Sequence, residues 1–109
     1  MAHRFVRAKP DTGRLAELRE RLDAGEIEEY QPFGRAMTRG LENARFDPES
    51  GGAVWIEEDY CSPPLAMERA KVLDEYFETI TVVEEDVDEA AAWERIEDLP
   101  GLWEGALQA

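Results

Sequence analysis

Residues 53–84 read AVWIEEDYCSPPLAMERAKVLDEYFETITVVE, and their pattern carries most of the fold prediction. Its two ends, 53–60 and 79–84, are rich in apolar and β-branched residues, which favour strands. Ser62 before two prolines is typical of a helix start. The apolar positions that follow recur at spacings of four, three and four, as on one face of a helix: Ala66, Ala70, Leu73 and Phe77. The stretch therefore predicts a strand, an amphipathic helix and a second strand.

The N-terminal part of the chain predicts one more strand and a helix. Residues 3–8, HRFVRA, alternate in polarity and are followed by Pro10, which cannot continue a paired strand. Asp11 or Thr12 can cap the helix that follows, and Gly25 can end it. Its buried face is indicated by three leucines at helical spacing: Leu15, Leu18 and Leu22.

The middle and the end of the chain are less decisive. Residues 29–40 are compatible with a short second helix or with a strand. Residues 41–47 and 53–60 predict a hairpin, because PESGG between them is rich in turn residues. After 79–84 comes an acidic stretch, and then a helical tail around Trp93.

These elements predict an α+β fold. Their order is strand, helix, strand, strand, helix, strand, the ferredoxin-like βαββαβ pattern with an antiparallel sheet. An extra short helix after helix one and a C-terminal helical tail complete it. We expect a single domain over residues 1–109, with its core in 3–84 and the tail in 85–109.

Three segments also resemble a known superfamily. They are HRFVRAKPDTGRLAELRERL at 3–22, LENARFDPESGGAVWIEEDY at 41–60 and AMERAKVLDEYFETITVVE at 66–84. In element order and lengths they look like the dimeric α+β barrel superfamily, which includes small stress-responsive barrel proteins, YCII-like proteins and antibiotic-biosynthesis monooxygenases. The resemblance implies a homodimer that pairs two sheets into a shared barrel. It carries no diagnostic motif, so it implies fold more than activity.

A candidate ligand site follows from the predicted sheet. With the strands ordered four, one, three, two, alternation places Phe5, Arg7, Trp55 and Glu57 on the face away from the helices. Phe5 and Trp55 could wall a small cavity, with Arg7 and Glu57 as its polar anchors. The alternative is a dimer interface in which Arg7 and Glu57 form a buried ion pair.

Charge constrains the partners and the surroundings of the chain. Twenty-six Asp and Glu residues oppose twelve Lys and Arg residues, which gives a formal net charge of -14. Such self-repulsion is tolerable where salt screens it, so the composition favours the salt-rich cytoplasm of an extreme halophile. It disfavours nucleic acid, which requires a basic stripe.

Sequence features that would indicate a cofactor, a metal or a membrane are weak. Cys61 follows a predicted strand and precedes a helix, so it is either a reactive thiol or an inert buried one. His3 has no spaced companion that would make a metal or haem site. We therefore expect no metal and no cofactor, and the catalytic residues are unknown. The start of the chain has no apolar leader and no apolar run is long enough to span a bilayer, so a cytoplasmic protein without membrane contact is expected.

Two functional classes remain. The first is a homodimeric barrel that binds or transforms a small organic molecule in a cavity on the sheet face. The second is a non-catalytic assembly or protein-interaction module. Two features favour it: the sequence shows no recognisable set of catalytic residues, and its tail is aromatic and apolar, with Trp93, Leu99, Leu102 and Trp103. Whether the protein is an enzyme stays open at this point.

Overall fold

The computed structural model describes residues 2–104 and shows an α+β fold. Within that range, four strands form one antiparallel sheet in the order β2-β3-β1-β4. They are β1 (Ala2–Pro10), β2 (Arg45–Asp47), β3 (Gly52–Asp59) and β4 (Phe77–Glu84). The order reads four, one, three, two from the opposite edge, which is compatible with a ferredoxin-like fold.

The central strand pair lies where the sequence predicts it. β1 pairs antiparallel with β3 on one side and with β4 on the other. β2 is much shorter than predicted, because Leu41 and Glu42 belong to the preceding helix. It pairs only with the start of β3, from Gly52 to Val54. Among the described residues, the outer edge of the rest of β3 therefore has no neighbouring strand.

Two helices separate β1 from β2. Helix α1 (Leu15–Asp23) buries the three leucines that predict it. Its N-cap is Arg14 without a side-chain cap, so neither Asp11 nor Thr12 caps it. Gly25 has a φ of 77°, the left-handed conformation that suits glycine after a helix. After a short 3-10 turn, helix α2 (Gly34–Glu42) settles the open assignment of residues 29–40 in favour of a helix.

The connection between β3 and β4 differs in detail from the prediction. It comprises α3 (Ala66–Glu68), a π-helical segment (Arg69–Leu73) and α4 (Asp74–Tyr76). Ser62 does not cap it. The residue before α3 is Leu65, with a φ of 62° and no side-chain cap. We call these three consecutive segments the third helix.

The predicted apolar face of this connection is buried only in part, since Leu73 and Phe77 are buried but Ala66 is half-buried and Ala70 is exposed. The buried residues from the N-cap onward contain one acidic member: Leu65, Glu68, Val72, Leu73 and Tyr76. A carboxyl group is thus held inside an apolar stripe.

The tail covers the second face of the sheet. Asp88 caps helix α5 (Glu89–Glu94) by accepting a 2.9 Å hydrogen bond from the N–H of Ala91. A small second core forms where this segment packs on the sheet: Phe5, Val54, Ile56, Ala92 and Ile96. The main core lies between the opposite face and the other helices. Residues 105–109 of the predicted tail lie outside the described residues, as does Met1.

No helix of the described chain combines the length and the apolar character that crossing a membrane would require.

Candidate functional site

The strand register separates the four predicted ligand residues. Phe5 lies opposite Ile56, and Val6 lies opposite Trp55. Residues directly opposite in antiparallel strands share a face, so Phe5 and Trp55 are on different faces of the sheet. Phe5 is 3% exposed under the C-terminal segment, whereas Trp55 is fully buried against the main helices.

The two predicted anchors are separated in the same way. Arg7 is exposed on the face of Phe5, and Glu57 is 1% exposed on the face of Trp55. They cannot form an ion pair across the sheet. The predicted faces of β3 are wrong by one residue, because β3 is buried on both sides and its run Val54, Trp55, Ile56 carries no polar alternation to set the phase.

A cavity of about 340 Å³ lies at the open edge of β3. Helix α2 runs along this edge, and a Cβ at Gly40 would come within 3.0 Å of Cδ1 of Trp55 and 3.1 Å of the carbonyl oxygen of Ile56. Glycine thus permits the close approach of helix and strand. The apolar part of the lining comes from α2, β3, the third helix and α5: Phe33, Ile56, Met67 and Trp93.

Two cations line the same cavity from α2. Arg35 and Arg39 are four residues apart, so they lie on one face of the helix. Both are exposed, and no carboxylate of the described residues lies within 4.0 Å of either guanidinium. In a chain with 26 acidic residues, most of the other arginines do have such a partner, as Arg14, Arg19 and Arg69 do.

The opposite wall is acidic and deeply buried. Asp59 and Glu68 line the cavity, and Glu57 lies next to Glu68. The indole Nε1 of Trp55 donates a 3.0 Å hydrogen bond to Oε1 of Glu57. No N–H or O–H donor of the described residues reaches Oε2 of Glu57 or Oε2 of Glu68.

The two facing carboxyl groups have raised proton affinities. Burial, followed by the adjacent Glu68, raises the pKa of Glu57 well above its usual range. Burial also raises the pKa of Glu68. The surroundings of Glu57 therefore favour its protonated form over its charged form.

Asp59 behaves in the opposite way. Burial alone would raise its pKa, but hydrogen bonds from the backbone N–H groups of Leu65 and Cys61, together with Arg4, hold the pKa below its usual value. The N–H of Leu65 and Nε of Arg4 reach Oδ2 at 2.8 and 3.1 Å, and the N–H of Cys61 reaches Oδ1 at 3.1 Å. Asp59 is thus the fixed anion that ties β3 to the start of the third helix.

Cys61 lies between these carboxyl groups. Its Sγ is 3.5 Å from Oε1 of Glu68, to which the thiol donates. Burial and the neighbouring carboxylates Asp59 and Glu68 raise the pKa of the thiol. Of the two alternatives for Cys61, a reactive thiol or an inert one, these anionic surroundings favour the inert thiol.

His3 also has partners that the sequence does not reveal. Its Nε2 lies 3.7 Å from a carboxylate oxygen of Glu58 and 3.5 Å from one of Glu89, and both acids line the cavity. His3 thus contacts two acidic residues of the lining, although it does not line the cavity itself.

Sequence reasoning missed Glu68, Arg35 and Arg39. Glu68 had a detectable signal, since it is the acidic member of an otherwise apolar helical stripe. No sequence signal marks Arg35 and Arg39, because their lack of acidic partners depends on the tertiary fold.

Comparison of the chain with protein-family models gave no match, and neither did comparisons with curated proteins and with solved structures.

Proposed function

We propose that this protein binds a small organic anion with an apolar body in the cavity between α2 and the open edge of β3. The observation that carries the proposal is the pair of unpartnered arginines, Arg35 and Arg39, beside an apolar wall. Guanidinium groups recognise carboxylates and phosphates through bidentate hydrogen bonds. Apolar contacts with Phe33, Met67 and Trp93 would hold the rest of the molecule.

The dimensions of the cavity suit this class of ligand. A volume of about 340 Å³ falls within the range of small-molecule sites, about 300–1,000 Å³. The acidic wall at Asp59 and Glu68 repels an anion, so we expect the charged end to face Arg35 and Arg39. A hydroxyl or amine at the other end would meet the acidic wall.

The alternative of an interaction module loses its main support. Leu102 is fully buried, and the indole N–H of Trp103 donates a 2.8 Å hydrogen bond to the carbonyl oxygen of Leu41. The guanidinium of Arg19 lies 5.1 Å from the ring of Trp103. The aromatic tail, as far as it is described, thus packs on its own chain.

The ferredoxin-like assignment and the homodimer are also part of the proposal. Antiparallel pairing and the four, one, three, two order support the ferredoxin-like fold. If Phe5 and Trp55 shared the sheet face away from the helices, as the sequence predicts, a partner subunit would be needed to cover them. That reason for a dimer is wrong, because both are buried within one chain. A dimer would instead use the exposed part of the Phe5 face, around Arg7 and Thr81.

The binding proposal is tested with pairs of small molecules, each pair consisting of a carboxylate and its uncharged amide. Aromatic and aliphatic carboxylates are screened by ligand-observed NMR against uncharged amides of the same body. We expect carboxylates to bind and their amides to bind at least about tenfold more weakly, a difference of about 1.4 kcal/mol. Equal binding of the amides would contradict the proposed role of the arginines.

Variants locate the site. The double variant R35M/R39M should lose most of the affinity, whereas R7M should keep it. Arg7 is the matched control, because it is also an exposed arginine but does not line the cavity. Ala36 lines the cavity from α2, so A36W should block binding by filling space. If R7M weakens binding as much as R35M/R39M, the ligand does not occupy this cavity.

A further inference from the structure

Three potential metal ligands converge on the acidic wall of the cavity. One oxygen each of Asp59 and Glu68 and the Sγ of Cys61 all lie within 4.8 Å of one another. The distance from Sγ of Cys61 to Oε1 of Glu68 is 3.5 Å. With zinc bonds of about 2.3 Å to sulfur and about 2.0 Å to oxygen, a tetrahedral angle separates the two ligand atoms by about 3.5 Å. This pair is already at the spacing of one edge of a zinc tetrahedron.

Asp59 has the capacity to act as the third ligand. Its Oδ2 accepts two hydrogen bonds, from Leu65 and Arg4, which use both lone pairs. Its Oδ1 accepts only one, from the N–H of Cys61, so one lone pair remains free. These donors also fix the orientation of the carboxylate, as outer-shell partners do in metal sites.

An independent observation supports a ligand role for Glu68. Glu68 is 0% exposed and lines the cavity, and its Oε2 receives no N–H or O–H donor from the described residues. The same is true of Oε2 of the buried Glu57 beside it. Arg4 is the cation that contacts the cluster, and its Nε is directed at Asp59. Buried carboxyl oxygens without partners are costly, unless a proton or a metal ion satisfies them.

We propose that Asp59, Cys61 and Glu68 bind one divalent transition-metal ion of the zinc class. A sulfur ligand favours zinc, cobalt or ferrous iron over calcium and magnesium, which prefer six or more oxygen ligands. Three protein ligands leave the fourth tetrahedral position for water or for a ligand in the cavity. Glu57 is adjacent to Glu68 and would orient it from the outer shell. This site does not depend on the organic anion proposed above.

Cobalt(II) is the probe that tests this site. The full chain is reduced, freed of metals with a chelator and titrated in molar potassium chloride, which screens the acidic surface. We expect saturation at about one equivalent, with a thiolate-to-cobalt charge-transfer band and the intense visible bands of four-coordinate cobalt. Zinc should displace the cobalt, whereas magnesium and calcium at the same concentration should not. Displacement by magnesium or calcium, or binding without saturation, would overturn the proposal.

Variants separate this site from nonspecific binding to carboxylates. C61S should abolish the charge-transfer band, and E68Q should weaken cobalt binding by at least about tenfold. E58Q is the matched control, since Glu58 lines the same cavity but bonds to the hydroxyl of Tyr60, and it should bind as the wild type does. Unchanged affinity in C61S or E68Q would overturn the proposal. The far-UV spectrum of each metal-free variant verifies its folding, and if E68Q does not fold, the result with C61S decides.

Discussion

Trp55 and Glu57 are joined by a hydrogen bond within one strand, from the indole N–H to Oε1 at 3.0 Å, in a space without access to solvent. Alternate residues of a strand share a face, so the two side chains lie side by side against the helices. The bond satisfies the one donor of the indole and fixes the orientation of the carboxyl group. The other oxygen of Glu57 is thereby left for Glu68.

Substitution of Glu57 should therefore depend strongly on the replacement. E57Q keeps an acceptor for Trp55 and supplies an N–H donor toward Glu68, so we expect it to fold with little loss of stability. E57L leaves the indole N–H buried without a partner, which costs about 1–3 kcal/mol. Urea unfolding of both variants checks this. Equal stability of E57L and E57Q would show that the bond contributes nothing.

Glu57 should also make the stability of the fold depend on pH, which is measured in protein freed of divalent ions. The folded state raises the pKa of Glu57, so it keeps a proton at pH values where the unfolded chain has lost it. The contribution of this group to stability is therefore fully present below the usual glutamate range and is lost as the pH rises above that range. E57Q should remove this part of the pH dependence. If the free energy of unfolding varied with pH in the same way in the wild type and in E57Q, the assignment of this pH dependence to Glu57 would be contradicted.

The C-terminal segment should contribute to stability within a single chain. Ile96 is 5% exposed in the second core, next to Phe5. I96A should cost about 2 kcal/mol or more through lost burial and a residual cavity. E94A, an exposed position in the same segment, is the control and should change little. An I96A variant as stable as E94A would mean that the segment does not pack on the sheet.

The proposed homodimer is tested by measuring the oligomeric state of the protein in solution. The resemblance to dimeric barrels predicts a homodimer, and the partly exposed Phe5 face around Arg7 and Thr81 is the surface it would use. Light scattering in molar potassium chloride should give the mass of two chains, and T81R should reduce it toward one. A monomer mass for the wild type would contradict the homodimer.

Salt should stabilise the fold. At molar potassium chloride the Debye length is about 3 Å, so repulsion among the 26 acidic residues is screened. Many ion pairs of this chain are exposed and contribute little, for example the pair of Lys9 and Glu78. We therefore expect the midpoint of thermal unfolding to rise with potassium chloride. A constant or falling midpoint would speak against adaptation to high salt.

The sequence pattern predicted correctly those helices and strands that have one face in the core and the other face in solvent. Leu15, Leu18 and Leu22 mark α1 correctly because one side of that helix faces the core and the other faces water. Pro10 correctly marks the end of β1. The pattern fails on β3, because both of its faces are covered and an error of one position moves Trp55 and Glu57 to the wrong side.

The site was beyond sequence reasoning for a related reason. A loop brings Cys61 and Glu68 together. In this loop Leu65 adopts a left-handed conformation, and its backbone N–H donates a hydrogen bond to the carboxylate of Asp59. No spacing rule describes such a loop. Residues 33–40 contribute the other wall only because β2 is too short to occupy the edge of β3.

The short β2 also makes the two sides of β3 mechanically different. The hydrogen-bonded ladder with β1 runs along one edge of β3 through to Asp59, whereas beyond Val54 the other edge pairs with no strand of residues 2–104 and is approached closely by α2 at Gly40. A displacement of α2 from the second half of β3 would break packing contacts without unzipping any strand pair there. The wall that carries Asp59 is therefore held by main-chain hydrogen bonds to β1, whereas the wall that carries Arg35 and Arg39 is held by the packing of Met37 and Leu41 in the main core.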